Sequence, residues 1–495
     1  MTADQEMLDR VRRGRFLIDG EWIEPGDRAL FEIVTPSDET VFATVPFATA
    51  DDIARAVAAA RRAFDHGPWP HLSHRERGDF LARLADAIEA KSDLFARLWT
   101  SEVGGLIGYG GHMVAGSCAM IRDFARMADD FAFVERHAPT AGGNVGLLIH
   151  EPVGVVGAII PWNAPILMLA SKLAPALLAG CTLVVKMSPE APLEGVLLGE
   201  IVQELGLPPG VINVVMADRD VSELLVRNES VDKISFTGSS AVGQRVASIC
   251  GGRMARATLE LGGKSAAVVL DDSPLDLVVN AVAPQVGMLG MQFCSALSRV
   301  IVPRHRHDAL LDGIAAALRQ VQLGDPFDLA TQMGPMSMKR QRDRIEAYIE
   351  SGKADGFTVA TGGGRPADFN RGYYLEPTLF GGVRNDARIA REEIFGPVIS
   401  VIPARDEEDA IAMANDSDFG LNSSVFTADR DRAMQVARRM RAGTVGHNAF
   451  RSDFGIAFGG WKRSGIGREG GRLGLLPYLE AKTVILDEEP SSVFA

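Results

Sequence analysis

The strongest constraint on the fold is a rhythm. From about Gly154 to Leu261, short β-branched runs (GVVGAII, CTLVVKM, VINVVM, KISFTG, ATLEL) alternate with longer amphipathic stretches. This is the strand–helix–strand alternation of a parallel sheet, and such α/β sheets place their sites in the crevice beyond the carboxyl ends of the strands. A second alternation begins at AAVVL and runs through RVIVP, TVATGG, PVISVIP and SVFT. Two α/β units are therefore expected, with the chemistry between them. Two stretches fit neither rhythm: GNVGLLIHEP near 143–152 and LEAKTVILDEE near the carboxyl end. Both read as strands, suited to a small projecting sheet that pairs with another subunit.

A chain of 495 residues exceeds one ordinary core, in keeping with two or three domains. Helix start signals stand at Thr49 with Asp52 and at Ser73 with Glu76, ahead of the stripes Ile53, Val57, Ala60, Phe64 and Phe80, Leu81, Leu84, Ile88. The net charge of −13 argues against nucleic acid as a partner. The one basic cluster, Arg10, Arg12, Arg13 and Arg15, reads as a solvated helix face. No apolar run reaches the roughly 20 residues needed to span a bilayer, so a cytoplasmic location without membrane contact is expected. Cys118, Cys181, Cys250 and Cys294 are scattered, without metal-ligand spacing, so neither disulfides nor a metal is expected.

A lone cysteine is more often a packing residue than a nucleophile, and Cys118, Cys181 and Cys250, flanked by small or apolar residues, read that way. Cys294, in GMQFCSALSR, follows a long helical stretch and precedes the strand RVIVP. Glu260, in LELGGK, and Asn163, in IIPWNAP, each stand at a strand end, where α/β sites are built. Taken singly, Glu260 reads as a turn-capping carboxylate and Asn163 as a turn former.

Together the motifs are specific. IIPWN, LPPGVINVV, FTGSSAVG, LELGGK, Cys294 with Arg299 five residues on, GYYLEPTLF, REEIFGPV and FGGWKRSGIGREGG occur in the order of the aldehyde dehydrogenase superfamily. The chain resembles that family from about Leu17 to Val484. The resemblance implies a Rossmann-like NAD-binding domain (8–140 and 154–262), an α/β catalytic domain (263–474) and oligomerisation strands (141–153 and 475–495), assembled as a homodimer or homotetramer. It implies Cys294 as nucleophile, Glu260 as general base, and Asn163 as oxyanion donor beside the Cys294 N–H. For the cofactor it implies Lys186 at the adenosine ribose, Gly238, Ser239 and Gly243 at the pyrophosphate turn, and Glu393 and Phe395 at the nicotinamide. Ile160, Pro161, Trp162, Leu261 and Gly262 would line the same cleft. Ala164, Met168, Ser171, Phe293, Ser295, Phe450 and Phe458 would line the substrate tunnel.

The chemistry explains these residue types. A thiolate adduct of an aldehyde collapses to a thioester while releasing hydride, which divides one hard oxidation into two easier steps. Prepositioned donors for the alkoxide contribute ~3–4 kcal/mol each in comparable sites, and a carboxylate of raised pKa can activate the water that hydrolyses the thioester. The coenzyme A-acylating branch generally lacks a carboxylate at the Glu260 position, so hydrolysis is expected; coenzyme A acylation and a catalytically silent homologue are the alternatives. Gly465, Gly467 and Gly470 spell GxGxxG but follow WKRS rather than a strand, and are rejected as a dinucleotide fingerprint.

Some positions depart from the family pattern. The residues before the nucleophile usually read Asn, another residue, Gly and Gln; here they are Leu289, Gly290, Met291 and Gln292. Three residues after Lys186 stands Pro189 rather than the Glu often seen in NAD-preferring members, with Glu190 displaced by one. NAD remains the expected cofactor, with NADP the alternative, because no extra Arg or Lys adjoins Lys186 to neutralise a 2′-phosphate. The mostly apolar tunnel residues point to a hydrophobic aldehyde, aromatic or terpenoid, unless Arg451 and Asp453 turn inward.

Overall fold

The computed structural model describes residues 3–491. Five parallel strands form the heart of an eight-stranded sheet, in the order Ile212–Met216, Thr182–Met187, Val155–Ile159, Lys233–Thr237, Arg256–Glu260. The chain runs outward from Val155–Ile159 to one side and then returns to add strands on the other. The order thus reverses between Val155–Ile159 and Lys233–Thr237, and the loops leaving these two strands diverge there to open a crevice. Both expected capping boxes form, on the helices Ala50–His66 and His74–Glu89. Ile53, Val57 and Ala60 are buried, as are Phe80, Leu81, Leu84 and Ile88.

The second alternation becomes a seven-stranded sheet: Thr358–Thr361, Thr378–Gly381, Val398–Ala404, Arg299–Pro303, Ala266–Val269, Asn422–Phe426, Thr444–His447. All neighbours are parallel except the first pair. Arg299 lies buried on its strand, donating to the carbonyls of Lys264 (3.0 Å), Met413 (3.1 Å) and Ala414 (3.0 Å) and to Asn385 Oδ1 (3.0 Å).

The two orphan stretches form a small sheet by pairing with each other, Leu479 with Pro152 through Leu486 with Val145. Several other expectations are corrected. Val134–His137 completes this three-stranded sheet although it was assigned to the nucleotide-binding part. Residues 492–495 of the expected carboxyl-terminal strand segment lie outside the described residues. The long helix expected before Cys294 is the eight-residue Leu275–Val282, ended by Pro284 and followed by tight turns. Arg12 and Arg15 do not form a solvated helix face: the helix stops at Val11, Arg12 donates to the Phe42 carbonyl (2.9 Å), and Arg15 pairs with Glu200 (2.8 Å). Among the described residues no helix is long and apolar enough to cross a membrane, and no cluster of three or more His, Cys, Asp or Glu could hold a metal ion.

One crossing joins the two units. Gly465–Ile466, from the part expected to be catalytic, pairs antiparallel with Leu259 and Glu260 at the edge of the first sheet. The rejected glycine motif is therefore an edge strand followed by a helix of five residues, Gly471–Leu475. Ser464 Oγ donates to the Gly262 carbonyl (2.7 Å) and accepts from Gly420 N (3.0 Å), which ties this edge to the second unit. Nearby, Gly443 packs so closely on the Gly459 carbonyl that no Cβ fits. Gly443→Ala should lower stability by about 3 kcal/mol, the upper end for overpacking against unyielding backbone. A urea midpoint unchanged from wild type would contradict this close approach.

Candidate active site

The crevice at the strand-order reversal is an open cleft. Its walls bring together Pro161, Trp162 and Asn163 after one strand, Gly238 and Ser239 after the next, and Glu260, Leu261 and Gly262 after the third. The second unit contributes Cys294, Glu393 and Phe395, together with Gln341 and Arg344, which sequence reasoning did not single out.

Cys294 is the only partly exposed cysteine of the four; the other three are buried. Desolvation, followed by the nearby Glu393 and Glu260 carboxyls, pushes its thiol far above the ordinary cysteine range. Its approach is a left-handed turn: Leu289, Gly290 and Met291 have φ of 50°, 57° and 55°. Non-glycine residues pay roughly 1–2 kcal/mol each in this region. Burial of Leu289 against Trp99 and Val103, and of Met291 in the second core, offsets that cost. Gln292 locks the turn: Nε2 donates to the Leu289 carbonyl (2.8 Å) and Oε1 accepts from Ser337 N (3.1 Å). Asn163 Nδ2 donates to the Gln292 carbonyl (3.0 Å), which holds one amide hydrogen and leaves the other for the cleft. Asn163 is itself held through its carbonyl by Trp99 Nε1 (2.9 Å).

Glu260 is 2% exposed, and neither carboxyl oxygen has a hydrogen-bond partner. A Cβ on Gly459 would stand 2.6 Å from Glu260 Oε1, so only glycine leaves the carboxyl room there. Burial, reinforced by Glu469 and opposed by Lys172 and Arg468, holds the Glu260 pKa well above the carboxylate range. Lys172 and Glu469 form a buried ion pair, with Lys172 Nζ also donating to Thr237 Oγ1 (2.8 Å). These residues went unnoticed in the sequence, although a lone lysine within PILMLASKLAPALLA is the kind of signal that marks a buried pair.

On the nucleotide side, Ser239 caps the helix Ser240–Gly252, whose amino end opens to the cleft. Lys186 is buried at its strand end with no hydrogen bond from its ammonium among the described residues, and desolvation lowers its pKa to about 8 against the pull of Glu190 and Asp218. Burial opposes ionisation of Glu190, but Arg340 (2.5 Å) and the Ser188 hydroxyl outweigh it and hold its pKa low. Glu393 Oε1 accepts from Gly263 N (3.0 Å), and burial raises its pKa to about 7. Phe395 packs edge-on to Trp162 with ring centroids 5.4 Å apart. Two expected cofactor residues sit differently: Ile160 is buried with its N–H on the Lys186 carbonyl (2.9 Å), and Gly243 is small because Leu261 fills the space of a Cβ.

The expected tunnel residues divide. Phe293 and Phe450 form an edge-to-face pair (5.6 Å), and Phe458 stacks on Phe454 (4.4 Å). Ala164 begins the helix Pro165–Ala179 beside the cleft. Met168 and Ser295 are largely buried, and Ser171 is wholly buried with its hydroxyl 2.9 Å from Glu469, so Ser171 faces the ion pair instead of a tunnel. Arg451 and Asp453 are exposed.

The sequence profile of the aldehyde dehydrogenase family matches residues 22–484. The chain belongs to the aldehyde dehydrogenase family. It is 41% identical over 488 residues to a geranial dehydrogenase of Castellaniella defragrans, covering 98% of this chain and 100% of that one. It is 40% identical to a betaine aldehyde dehydrogenase of Rhizobium leguminosarum bv. trifolii over 96% and 97% of the two chains. Among solved structures, an aldehyde dehydrogenase of Mycobacterium tuberculosis complexed with NAD+ superposes with a TM-score of 0.92 at 39% identity, over 95% of this chain and 98% of that one. The fold of this aldehyde dehydrogenase is that of the family's solved members.

Iodoacetamide acting on the native enzyme should label Cys294 in preference to the three buried thiols, and the rate should rise with pH because only the thiolate attacks. Glu393→Gln should start that rise at lower pH by removing a nearby negative charge. Peptide mapping by mass spectrometry reads both effects; labelling of Cys118, Cys181 or Cys250 at a similar rate would contradict the assigned exposure.

Proposed function

We propose that this enzyme oxidises apolar aldehydes, aromatic or terpenoid, to carboxylic acids through a thioester on Cys294, with NAD as hydride acceptor. The observation that carries this reading is the convergence of Cys294, Asn163 and Glu260 on one cleft at the strand-order reversal. The cleft suits a dinucleotide: a helix amino end at Ser239 offers N–H groups to a pyrophosphate, and the unpartnered Lys186 ammonium offers a donor to ribose hydroxyls. Glu190, held ionised near Lys186, would repel a 2′-phosphate, which favours NAD over NADP.

When bound, the nicotinamide supplies the hydride-accepting carbon. Glu260 takes the thiol proton, and the Cys294 sulfur bonds to the aldehyde carbon. Asn163 Nδ2 and the Cys294 N–H hold the alkoxide, which reforms the C=O bond as hydride leaves and a thioester results. Glu260 passes the thiol proton to solvent and, as carboxylate again, takes a proton from water; the hydroxide oxygen bonds to the acyl carbon, and the Cys294 thiolate departs from the acid. The raised pKa of Glu260 makes it a stronger base toward this proton than an ordinary carboxylate.

The aromatic pairs Phe293–Phe450 and Phe454–Phe458, with Arg451 and Asp453 turned to solvent, support an apolar substrate, as does the similarity to a geranial dehydrogenase. The unpaired edges of the three-stranded sheet support assembly as a homodimer or homotetramer.

NADH absorbance with an aldehyde panel tests the reading. Geranial and benzaldehyde should be oxidised faster than succinic semialdehyde or betaine aldehyde, NAD should be preferred to NADP, and Cys294→Ala should abolish turnover. Faster oxidation of succinic semialdehyde than of benzaldehyde would overturn the substrate class, and an absolute requirement for coenzyme A would overturn hydrolysis. Because the thiol and Glu260 are both protonated at low pH, kcat/KM should rise with pH. Glu469→Gln removes a charge that raises the Glu260 pKa and should move this rise to lower pH; a profile unmoved by that substitution would contradict the coupling.

A further inference from the structure

The loop that follows the strand Thr182–Met187 carries an ion pair between the two units. Glu190 belongs to the first unit and Arg340 to the second, on the first turn of the helix Lys339–Ala354, and Arg340 Nη2 lies 2.5 Å from Glu190 Oε1. Glu190 Oε2 accepts from the Ser188 hydroxyl, so both carboxylate oxygens are engaged before any cofactor arrives. Gln341 and Arg344, on the same helix as Arg340, line the cleft. Lys186, on the strand that leads into the loop, is buried, and its ammonium donates no hydrogen bond among the described residues. Glu190 and Asp218 both act on it, but Asp218 is committed to capping the helix Arg219–Arg227, accepting from Val221 N (2.8 Å). Arg340 is 67% exposed, and ion pairs of that kind add little to stability. In sequence no Arg or Lys adjoins Lys186, yet the fold brings one to Glu190 from the second unit.

We propose that Arg340 is a latent acceptor for the 2′-phosphate of NADP, and that Glu190, seated on its guanidinium, masks it and so holds the enzyme to NAD. This rests on the nucleotide reading of the cleft given above. A carboxylate and a phosphate are alternative partners for a guanidinium, since both offer paired oxygens to its planar fork. With Glu190 in place, a 2′-phosphate beside Lys186 would meet a fixed negative charge and find the guanidinium already paired, and such like-charge contacts are strongly unfavourable. With Glu190 neutral or absent, Lys186 from the first unit and Arg340 from the second would be two cations without that carboxylate between them. The phosphate would then take its place. Cofactor choice would thus reside in one carboxyl, and the cation that it masks is supplied from across the cleft.

Isothermal titration of the full-length enzyme with NAD and with NADP reads this without turnover. Wild type is expected to bind NAD more tightly. Glu190→Ala should shift the ratio of the two affinities toward NADP by about tenfold or more, and adding Arg340→Ala to the same chain should remove most of that shift. Glu190→Gln, which keeps the side chain's size and can still meet the Ser188 hydroxyl, should shift the ratio in the same direction and keeps the test valid if Glu190→Ala fails to fold. A ratio unmoved by the loss of the Glu190 charge would show a merely structural pair and overturn the proposal, as would a shift that survives intact in the variant lacking Arg340. Either result, with NAD still bound by wild type, leaves the nucleotide reading standing. Wild type that binds neither dinucleotide would overturn that reading and this proposal with it.

Discussion

The short antiparallel pairing of Gly465 and Ile466 with Leu259 and Glu260 is the constraint on which the site depends. It closes the edge of the first sheet with a segment that arrives from the second unit. Leu261 N donates to the Ser464 carbonyl (2.9 Å), and Ser464 Oγ bridges Gly262 to Gly420. Glu260 is thereby fixed between the two units, roofed by Gly459 and backed by the Lys172–Glu469 pair. A carboxyl at a free strand end would be hydrated and ordinary. Enclosed here without a hydrogen-bond donor, it keeps its proton to higher pH and becomes able to exchange it.

The loop before Cys294 meets this fixed wall from the other side. Its left-handed conformation suits asparagine and glycine, the residues usual at these positions in the family, whereas Leu289 and Met291 adopt it against their preference. Both side chains are buried, so the turn is held by packing where it is usually held by backbone tolerance. Gln292 and Asn163 then complete a chain of hydrogen bonds from Trp99 to the residue preceding Phe293. The result is a thiol and an amide donor whose relative positions are set before any aldehyde arrives.

Legibility in the sequence followed burial. The central parallel strands are covered on both faces and read as continuous β-branched runs, so Val155–Ile159, Thr182–Met187 and Arg299–Pro303 could be located closely. Edge strands such as the three-residue Glu21–Ile23 and the two-residue Gly465–Ile466 carry too few residues for any period. Cys294, Glu260 and Asn163 were legible only through the order of surrounding motifs, because a single Cys, Glu or Asn has no periodic signature. The Lys172–Glu469 pair spans nearly 300 positions, as does the partnership of Ser171 with Glu469, and only the fold brings them together. Ser171 was accordingly placed in the tunnel by its position on the helix, when its hydroxyl serves the buried pair.

The central claim is that Glu260 releases an acyl group carried by Cys294, and intact-protein mass spectrometry of Glu260→Gln after brief exposure to NAD and benzaldehyde tests it most directly. The account predicts a benzoyl adduct that accumulates on Cys294 in this variant, with NADH formed in no more than stoichiometric amount. Steady turnover without an adduct, or an adduct on a different residue, would contradict it.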